Sequence, residues 1–355
     1  EGREGTSPDQ VIVDVDVEEQ PTGSLGFSIT FSSDTGAGVG IEFAEANFLG
    51  RGQSLEASIN TASESQSFSA TFIEPAFLRR DLAFGLSIFA EETNQENAAY
   101  NTRNVGIRPS LGFPVSELGR MNVFYRVSQD SITNVTTRSS PILQREAGEL
   151  ITSSLGLSYS YDSRGEGLNP EAGVFLNFAT EVAGIGGDTE FVRSTASAIA
   201  ETSILREEVN LRAAFEAGGL NMLTGNSRVP DRFFLSSRQI RGFEPGGLGP
   251  RDLGAANRDA LGGNFYAAAR FEAAFPLGLP DEYGITGGVF YDIGTVWGLD
   301  DVNGAALVDD DLHWRSSVGF SIFWDTQIGP LRFNFSRALD TQAYDRTRDF
   351  DLTIE

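Results

Sequence analysis

Leu25-Gly26-Phe27-Ser28-Ile29-Thr30-Phe31-Ser32 decides how this chain is read. Large apolar side chains stand at every second position, with glycine or hydroxyl residues between them. A two-residue period puts the two sets on opposite faces of a β-strand. The alternation returns in Leu82, Phe84, Leu86 and Ile88, and in Met121, Val123, Tyr125 and Val127. It recurs in Leu155, Leu157 and Tyr159, in Leu331, Phe333 and Phe335, and in Phe350, Leu352 and Ile354. No convincing helical stretch competes with it.

Carried along the chain, the period predicts strands at about 25–32, 37–46, 53–62, 66–74, 82–92, 99–110, 120–130 and 150–161. A second series follows at about 172–183, 189–202, 208–217, 263–275, 283–293, 313–324, 330–339 and 346–355. The number is even, and most strands reach the roughly 9–11 residues that cross a bilayer at a tilt. A soluble sheet would set Lys and Glu opposite its apolar face. Here the second face is mostly Gly, Ser, Thr, Asn and Ala, which suits a polar lumen inside an apolar, lipid-facing wall. Closure also removes the unpaired edges that an open sheet would expose. The expected fold is therefore an all-β, transmembrane antiparallel β-barrel of about sixteen strands. Its three long connections, 131–149, 218–262 and 294–312, fall on one side, opposite the end where the chain enters.

Composition narrows the function. Fifty acidic against 26 basic side chains give a net charge of −24, which argues against a nucleic-acid partner. With no Cys, thiol catalysis, disulfides and Cys-based metal sites are excluded. No apolar run reaches the length of a transmembrane helix. Nothing calls for a cofactor or a metal: the acidic Asp309-Asp310-Asp311 with Asp300 and Asp301 has no EF-hand spacing and reads as a solvated loop. His313, the sole His, lacks the flanking pattern of a catalytic triad and is expected on a strand facing the lumen. The chain is not expected to be an enzyme.

The longest irregular stretch, about 218–262, carries Arg238-Gln239-Ile240-Arg241-Gly242-Phe243. A rigid fork of donors, a flexible joint and an aromatic anchor in a row suggest a tip that folds back and docks. Parity on the next two strands supplies a socket. With Phe265, Ala267, Ala269, Phe271, Ala273 and Phe275 outward, Glu272 and Arg270 point inward; with Val289, Tyr291 and Ile293 outward, so does Asp292. Arg241 is expected to pair with Asp292, Glu272 or both, held by Gly242 and Phe243. The alternative is that both carboxylates are ordinary wetted lumen charges.

Ile240-Arg241-Gly242-Phe243, with Arg270-Phe271-Glu272 and Phe290-Tyr291-Asp292-Ile293-Gly294, resembles the BamA family of outer-membrane protein assembly factors. Further matches are Glu19-Gln20-Pro21-Thr22-Gly23-Ser24, Asn47-Phe48-Leu49-Gly50-Arg51-Gly52, Phe72-Ile73-Glu74-Pro75, and Tyr161-Asp162-Ser163-Arg164 with Asn169-Pro170. The ordered series covers nearly the whole chain and is far more specific than any one motif. It implies a sixteen-strand barrel over residues 21–355, with its long sixth loop extracellular and folded into the lumen. Residues 1–20, where Val11, Val13, Val15 and Val17 alternate before Pro21, would be the truncated end of a periplasmic POTRA domain. One departure is the last residues, Ile354-Glu355, where such barrels usually end on an aromatic. Either the final residues are missing or the terminal signal differs.

The resemblance also implies a bacterial outer-membrane location with the N-terminal end in the periplasm. The implied function is insertion of β-barrel proteins, templating client strands at a lateral seam between first and last strands. That seam would join Leu25, Gly26, Phe27, Ser28, Ile29, Thr30 and Phe31 to Phe350, Leu352 and Ile354. Implied partners are unfolded outer-membrane proteins, accessory assembly lipoproteins of the BAM complex, and outer-membrane lipids. The rival readings are a two-partner-type secretion pore of the same superfamily and a passive porin with an open lumen.

Overall fold

A computed structural model describes residues 2–4, 11–13, 20–94, 100–165, 172–205, 208–326 and 329–354. Sixteen strands close into one antiparallel barrel. In chain order they are β1 Gly23–Ser32, β2 Gly36–Phe48, β3 Gln53–Ala62, β4 Ser65–Glu74, β5 Ala83–Asn94, β6 Asn101–Pro114, β7 Gly119–Thr133 and β8 Gly148–Asp162. There follow β9 Gly173–Ala183, β10 Glu190–Ile204, β11 Val209–Thr224, β12 Phe265–Pro276, β13 Ile285–Trp297, β14 Arg315–Thr326, β15 Gly329–Asp340 and β16 Phe350–Ile354. Among the described residues, no helix is long and apolar enough to cross a membrane.

The strand parity has the expected consequence. Phe27 and Ile29 of β1 are 75 % and 79 % exposed, while Gly38 and Gly40 of β2 are buried. The apolar side chains look outward all round the wall; in water this would be a severe liability, and in lipid it is the solvated face. The loops between β7 and β8, β11 and β12, and β13 and β14 share the end opposite the chain's entry into β1. They fold on one another: Tyr100, Ile142, Leu143, Val229 and Leu261 form a buried core with Ile132 at the end of β7. Arg232 pairs with Glu146, and Arg228 Nε donates to the Glu146 carbonyl at 2.9 Å. A two-residue ladder, Arg251–Asp252 against Val308–Asp309, ties two of these loops together.

Four local expectations need correction. A six-residue helix, Pro141–Glu146, stands where no helix was expected. It is too short to show a 3.6-residue period, and its signals are local: Pro141 in the first turn and Ser140 as N-cap, its Oγ accepting from Ile142 N at 3.3 Å. β11 runs seven residues beyond 217, because Gly218 and Gly219, which read as breakers, pair with Tyr266 and Phe265 of β12. β16 starts at Phe350, not 346, because the backbone at 346–348 bonds to the long loop instead. His313 lies in a loop just before β14, its Nε2 3.1 Å from the Asp309 carboxylate, because β14 begins only at Arg315.

Within the N-terminal twenty residues, Gly2–Glu4 and Val11–Val13 form a separate two-stranded antiparallel sheet. Val15, Val17 and Glu19, and the Asn169-Pro170 motif further on, lie outside the described residues.

Candidate functional site

Between β11 and β12 the chain turns into the barrel, and Ile240, Arg241 and Phe243 become fully buried. Gly242 takes φ 90°, a conformation costly for any residue with a Cβ. A Cβ there would also stand 3.0 Å from that of Ser317. The sharp bend aims Arg241 at the wall of β12 and β13.

Arg241 makes a bidentate pair with Asp292, Nε to Oδ2 and Nη2 to Oδ1 both at 2.7 Å. Its backbone N–H adds a third bond to Oδ2 at 3.0 Å. The remaining arm, Nη1, reaches Glu272, which Arg332 of β15 also holds. Ser317 of β14 donates its hydroxyl to the Arg241 carbonyl. Asp292 has no access to solvent, so an unpaired carboxylate here would be very costly; a fully hydrogen-bonded pair avoids that cost and fixes one geometry.

Three participants are not announced by strand parity alone. Phe290 points inward and lies flat beneath the guanidinium, its ring centroid 3.5 Å from Arg241 Cζ. Gly319 makes room for that ring: a Cβ at Gly319 would come within 2.4 Å of Phe290 Cζ and 2.1 Å of the Phe335 carbonyl. Arg332 is the third. The signal for Phe290 was present, since it shares inward parity with Asp292 and a bulky aromatic facing a polar lumen is anomalous.

The loop also touches the place where the barrel closes. Glu244 N donates to the Arg346 carbonyl at 3.1 Å, Arg346 N to Gly247 at 2.8 Å, and Arg348 N to Gly242 at 3.1 Å. Asp34, in the β1–β2 turn, accepts from Ser237 N at 3.1 Å and Oγ at 2.6 Å, and pairs with Arg348 Nη1 at 2.9 Å. A polar cavity of about 680 Å³ lies between loop and seam, bounded by Ser32, Arg238, Arg270, Asn334 and Asp351.

The seam itself is thin. Among the described residues β16 meets β1 only through Thr353 opposite Ser32 and Ile354 opposite Phe31. Ser33 N adds a bond to the Leu352 carbonyl at 3.0 Å. Phe350 packs at a tilt on Phe335 of β15, 5.2 Å between ring centroids. Leu25, Gly26, Phe27, Ser28, Ile29 and Thr30 pair with β2 and are not brought against Phe350 or Leu352. Of the expected seam residues, then, the structure joins Phe31 to Ile354; the position opposite Thr30 falls on Glu355, outside the described residues, and Leu25–Ile29, Phe350 and Leu352 are not joined across the seam.

His313, Asp309 and Tyr344 are hydrogen-bonded in the loop cap. Among the described residues no group of three or more acidic or His side chains is placed to hold a metal.

Comparison with known proteins accords with this geometry. The Omp85 superfamily domain matches residues 47–354. The outer membrane protein assembly factor BamA of Neorickettsia risticii is 31 % identical over 346 residues, 97 % of this chain and 46 % of that protein. BamA of Nitratidesulfovibrio vulgaris is 27 % identical over 337 residues, 94 % of this chain and 41 % of that one. The chain thus spans less than half the length of these two relatives. The crystal structure of BamA from Haemophilus ducreyi lacking POTRA domains 1–3 superposes with a TM-score of 0.82 at 23 % identity, over 95 % of this chain and 70 % of that one. CdiB from Acinetobacter baumannii superposes at 0.57 with 14 % identity, over 97 % and 60 % of the two chains. This chain belongs to the Omp85 superfamily.

Proposed function

We propose that this barrel inserts other β-barrel proteins into the bacterial outer membrane by offering β1 as a template edge when the β16–β1 seam parts. The observation that carries the reading is the contrast, among the described residues, between that two-pair ladder and the continuous ladders elsewhere, such as Gly23–Ser32 against β2. In hydrocarbon each bare backbone group costs several kcal/mol, so a barrel opens where fewest are stranded. An incoming strand then replaces the lost bonds by strand addition. The likeness to assembly factors over nearly the full chain supports the same activity.

In this reading the Arg241–Asp292–Glu272 cluster is a lock that holds the sixth loop in the lumen. The loop's end of the barrel faces the cell exterior and the entry to β1 faces the periplasm. Residues 1–20 are the end of a POTRA domain. Unfolded outer-membrane proteins are the clients, and accessory lipoproteins of the assembly complex are further partners. A passive porin is disfavoured by a lumen occupied by buried Ile240, Arg241 and Phe243. Conductance in planar bilayers separates the two, because a porin gives large, steady steps and an occupied barrel small, erratic ones.

Because the chain has no Cys, the pair S32C/T353C forms a unique crosslink across the seam. Oxidation should abolish client insertion in reconstituted vesicles, and reductant should restore it. Insertion at the normal rate by the oxidised protein would rule out seam opening.

A further inference from the structure

Two turns at the end where the chain enters the barrel share a design that the proposed function does not use. Phe48-Leu49-Gly50-Arg51 joins β2 to β3, and Phe77-Leu78-Arg79-Arg80 joins β4 to β5. In each, the Phe packs on a wall ring: Phe48 on Phe72 at 6.5 Å and Phe77 on Phe84 at 5.2 Å between centroids. In each, the Leu is forced into the left-handed region, φ 57° at Leu49 and 56° at Leu78. In each, the following Arg side chains are exposed and have no partner among the described residues. Leu205, in the β10–β11 turn at the same end, repeats the backbone geometry with φ 53°.

Left-handed backbone at a leucine costs on the order of 1–2 kcal/mol. These leucines are also 74 %, 71 % and 69 % exposed, so the strain brings them no burial within the protein. This rim also holds Arg79 at φ 58°, and at the opposite end the described non-glycine residues with positive φ are Asn134 and Arg258. Among the described residues, strained leucines are therefore confined to one rim. Turn bonds hold the geometry: Arg51 N donates to the Phe48 carbonyl at 3.3 Å and Arg79 N to Ala76 at 2.8 Å. Of the nearby carboxylates, Glu74 accepts from Gln53 Nε2 at 2.6 Å and from Ala76 N at 3.2 Å, and Asp81 stands beside Arg80 in sequence; both keep their charge, so the three arginines leave these turns positive by one.

We infer that these turns are anchors for the phospholipid headgroup layer of the adjoining leaflet, with a preference for anionic lipid. The leucine enters the glycerol and upper acyl region, where its apolar surface is buried. Arg51, Arg79 and Arg80 take the phosphates. In a chain of net charge −24, three guanidiniums without a partner among the described residues, gathered on two turns with one strand hairpin between them, offset repulsion from an anionic leaflet where the wall meets it. The pairing of strained leucine with free arginine fits a lipid surface better than a protein groove, which would bury the guanidiniums against carboxylates.

The test labels L49C and L78C, each the only Cys of its variant, with an environment-sensitive fluorophore, and N134C at the other end as reference. The proteins are reconstituted in phosphatidylcholine vesicles with or without one-fifth phosphatidylglycerol. Labels at 49 and 78 should be blue-shifted and quenched more by a nitroxide near the headgroup than by one deep in the acyl chain. In R51Q/R79Q/R80Q, preference for phosphatidylglycerol over phosphatidylcholine should fall by roughly two- to fivefold, with unchanged stability in detergent. Water-like emission at 49 and 78, indifferent to both nitroxides, would overturn the inference. So would blue-shifted emission in vesicles that neither nitroxide quenches, since that would mark a protein contact.

Discussion

The ladder between β12 and β13 and the seam between β16 and β1 are both antiparallel joints in the same wall, yet they are built in opposite ways. The first runs without interruption from Phe265–Trp297 to Pro276–Thr286 and carries Arg270, Glu272, Phe290 and Asp292 on its inner face. The second has two opposed pairs among the described residues. Its upper part is replaced by side-chain contacts through Asp34 and Arg348 and by the loop backbone. The loop is thus anchored on the stiff joint and leans on the weak one. On the proposed function, a barrel that opens at one place needs both features, since a wall that is uniformly weak would open anywhere.

The largest effect should come from removing the anchor. Arg241→Ala leaves Asp292 buried without its partner, a loss of about 3–5 kcal/mol locally, enough to release the loop. Hydrogen exchange over 236–247 should rise by orders of magnitude while β12 and β13 stay protected. Unchanged exchange would mean that the loop is held by its apolar contacts alone. Arg241→Lys keeps the charge but not the fork, and should release the loop only in part. Next is Gly319→Ala, whose Cβ would collide with the Phe335 carbonyl and the Phe290 ring; overpacking of this kind costs about 1–3 kcal/mol and should disturb both the β14–β15 ladder and the ring under the guanidinium. Phe290→Leu separates the two causes, losing about 0.5–2 kcal/mol of cation–π attraction without the clash. If Gly319→Ala leaves loop exchange unaltered, the platform is dispensable.

Asp34→Asn tests the other end of the loop. The ion pair with Arg348 is only partly buried, so about 1 kcal/mol or less is at stake. Crosslinking efficiency of S32C/T353C should fall modestly while the Arg241 cluster is untouched. An effect on the anchor as large as on the seam would mean the two joints are not separable. The smallest effect is acid loosening of the loop cap. Burial alone would raise the Asp309 carboxyl, but His313, Tyr344 and the Asp311 amide hold it below its ordinary value. A carboxyl depressed in the folded state stabilises above its unfolded pKa, and that contribution fades as pH falls through the folded value. Exchange in 300–313 should therefore increase only below about pH 4, the ordinary aspartate range.

Much of this molecule was legible in the sequence because a membrane barrel is written in a period-two code. The positions of all sixteen strands, and the inward parity of Glu272 and Asp292, follow from alternation alone. What escaped had another cause in each case. Gly218 and Gly219 look like breakers, yet aromatic neighbours on β12 cover them and the strand continues. The helix Pro141–Glu146 is shorter than two turns, below the length at which periodicity is visible. Asp34 and Arg348 meet across 314 positions, and neither carries a local pattern that announces a partner. The detachment of 346–348 from the wall could not be read either, because bonds to a loop backbone leave no trace in side-chain alternation.

Pulsed spin-label distances on two Cys pairs, S32C/T353C across the seam and A268C/G294C across β12–β13, test the contrast most directly. Measured in bilayers during turnover of a client, the seam pair should gain a long-distance population while the β12–β13 pair stays narrow. Normal client insertion with both distributions unchanged would contradict the account.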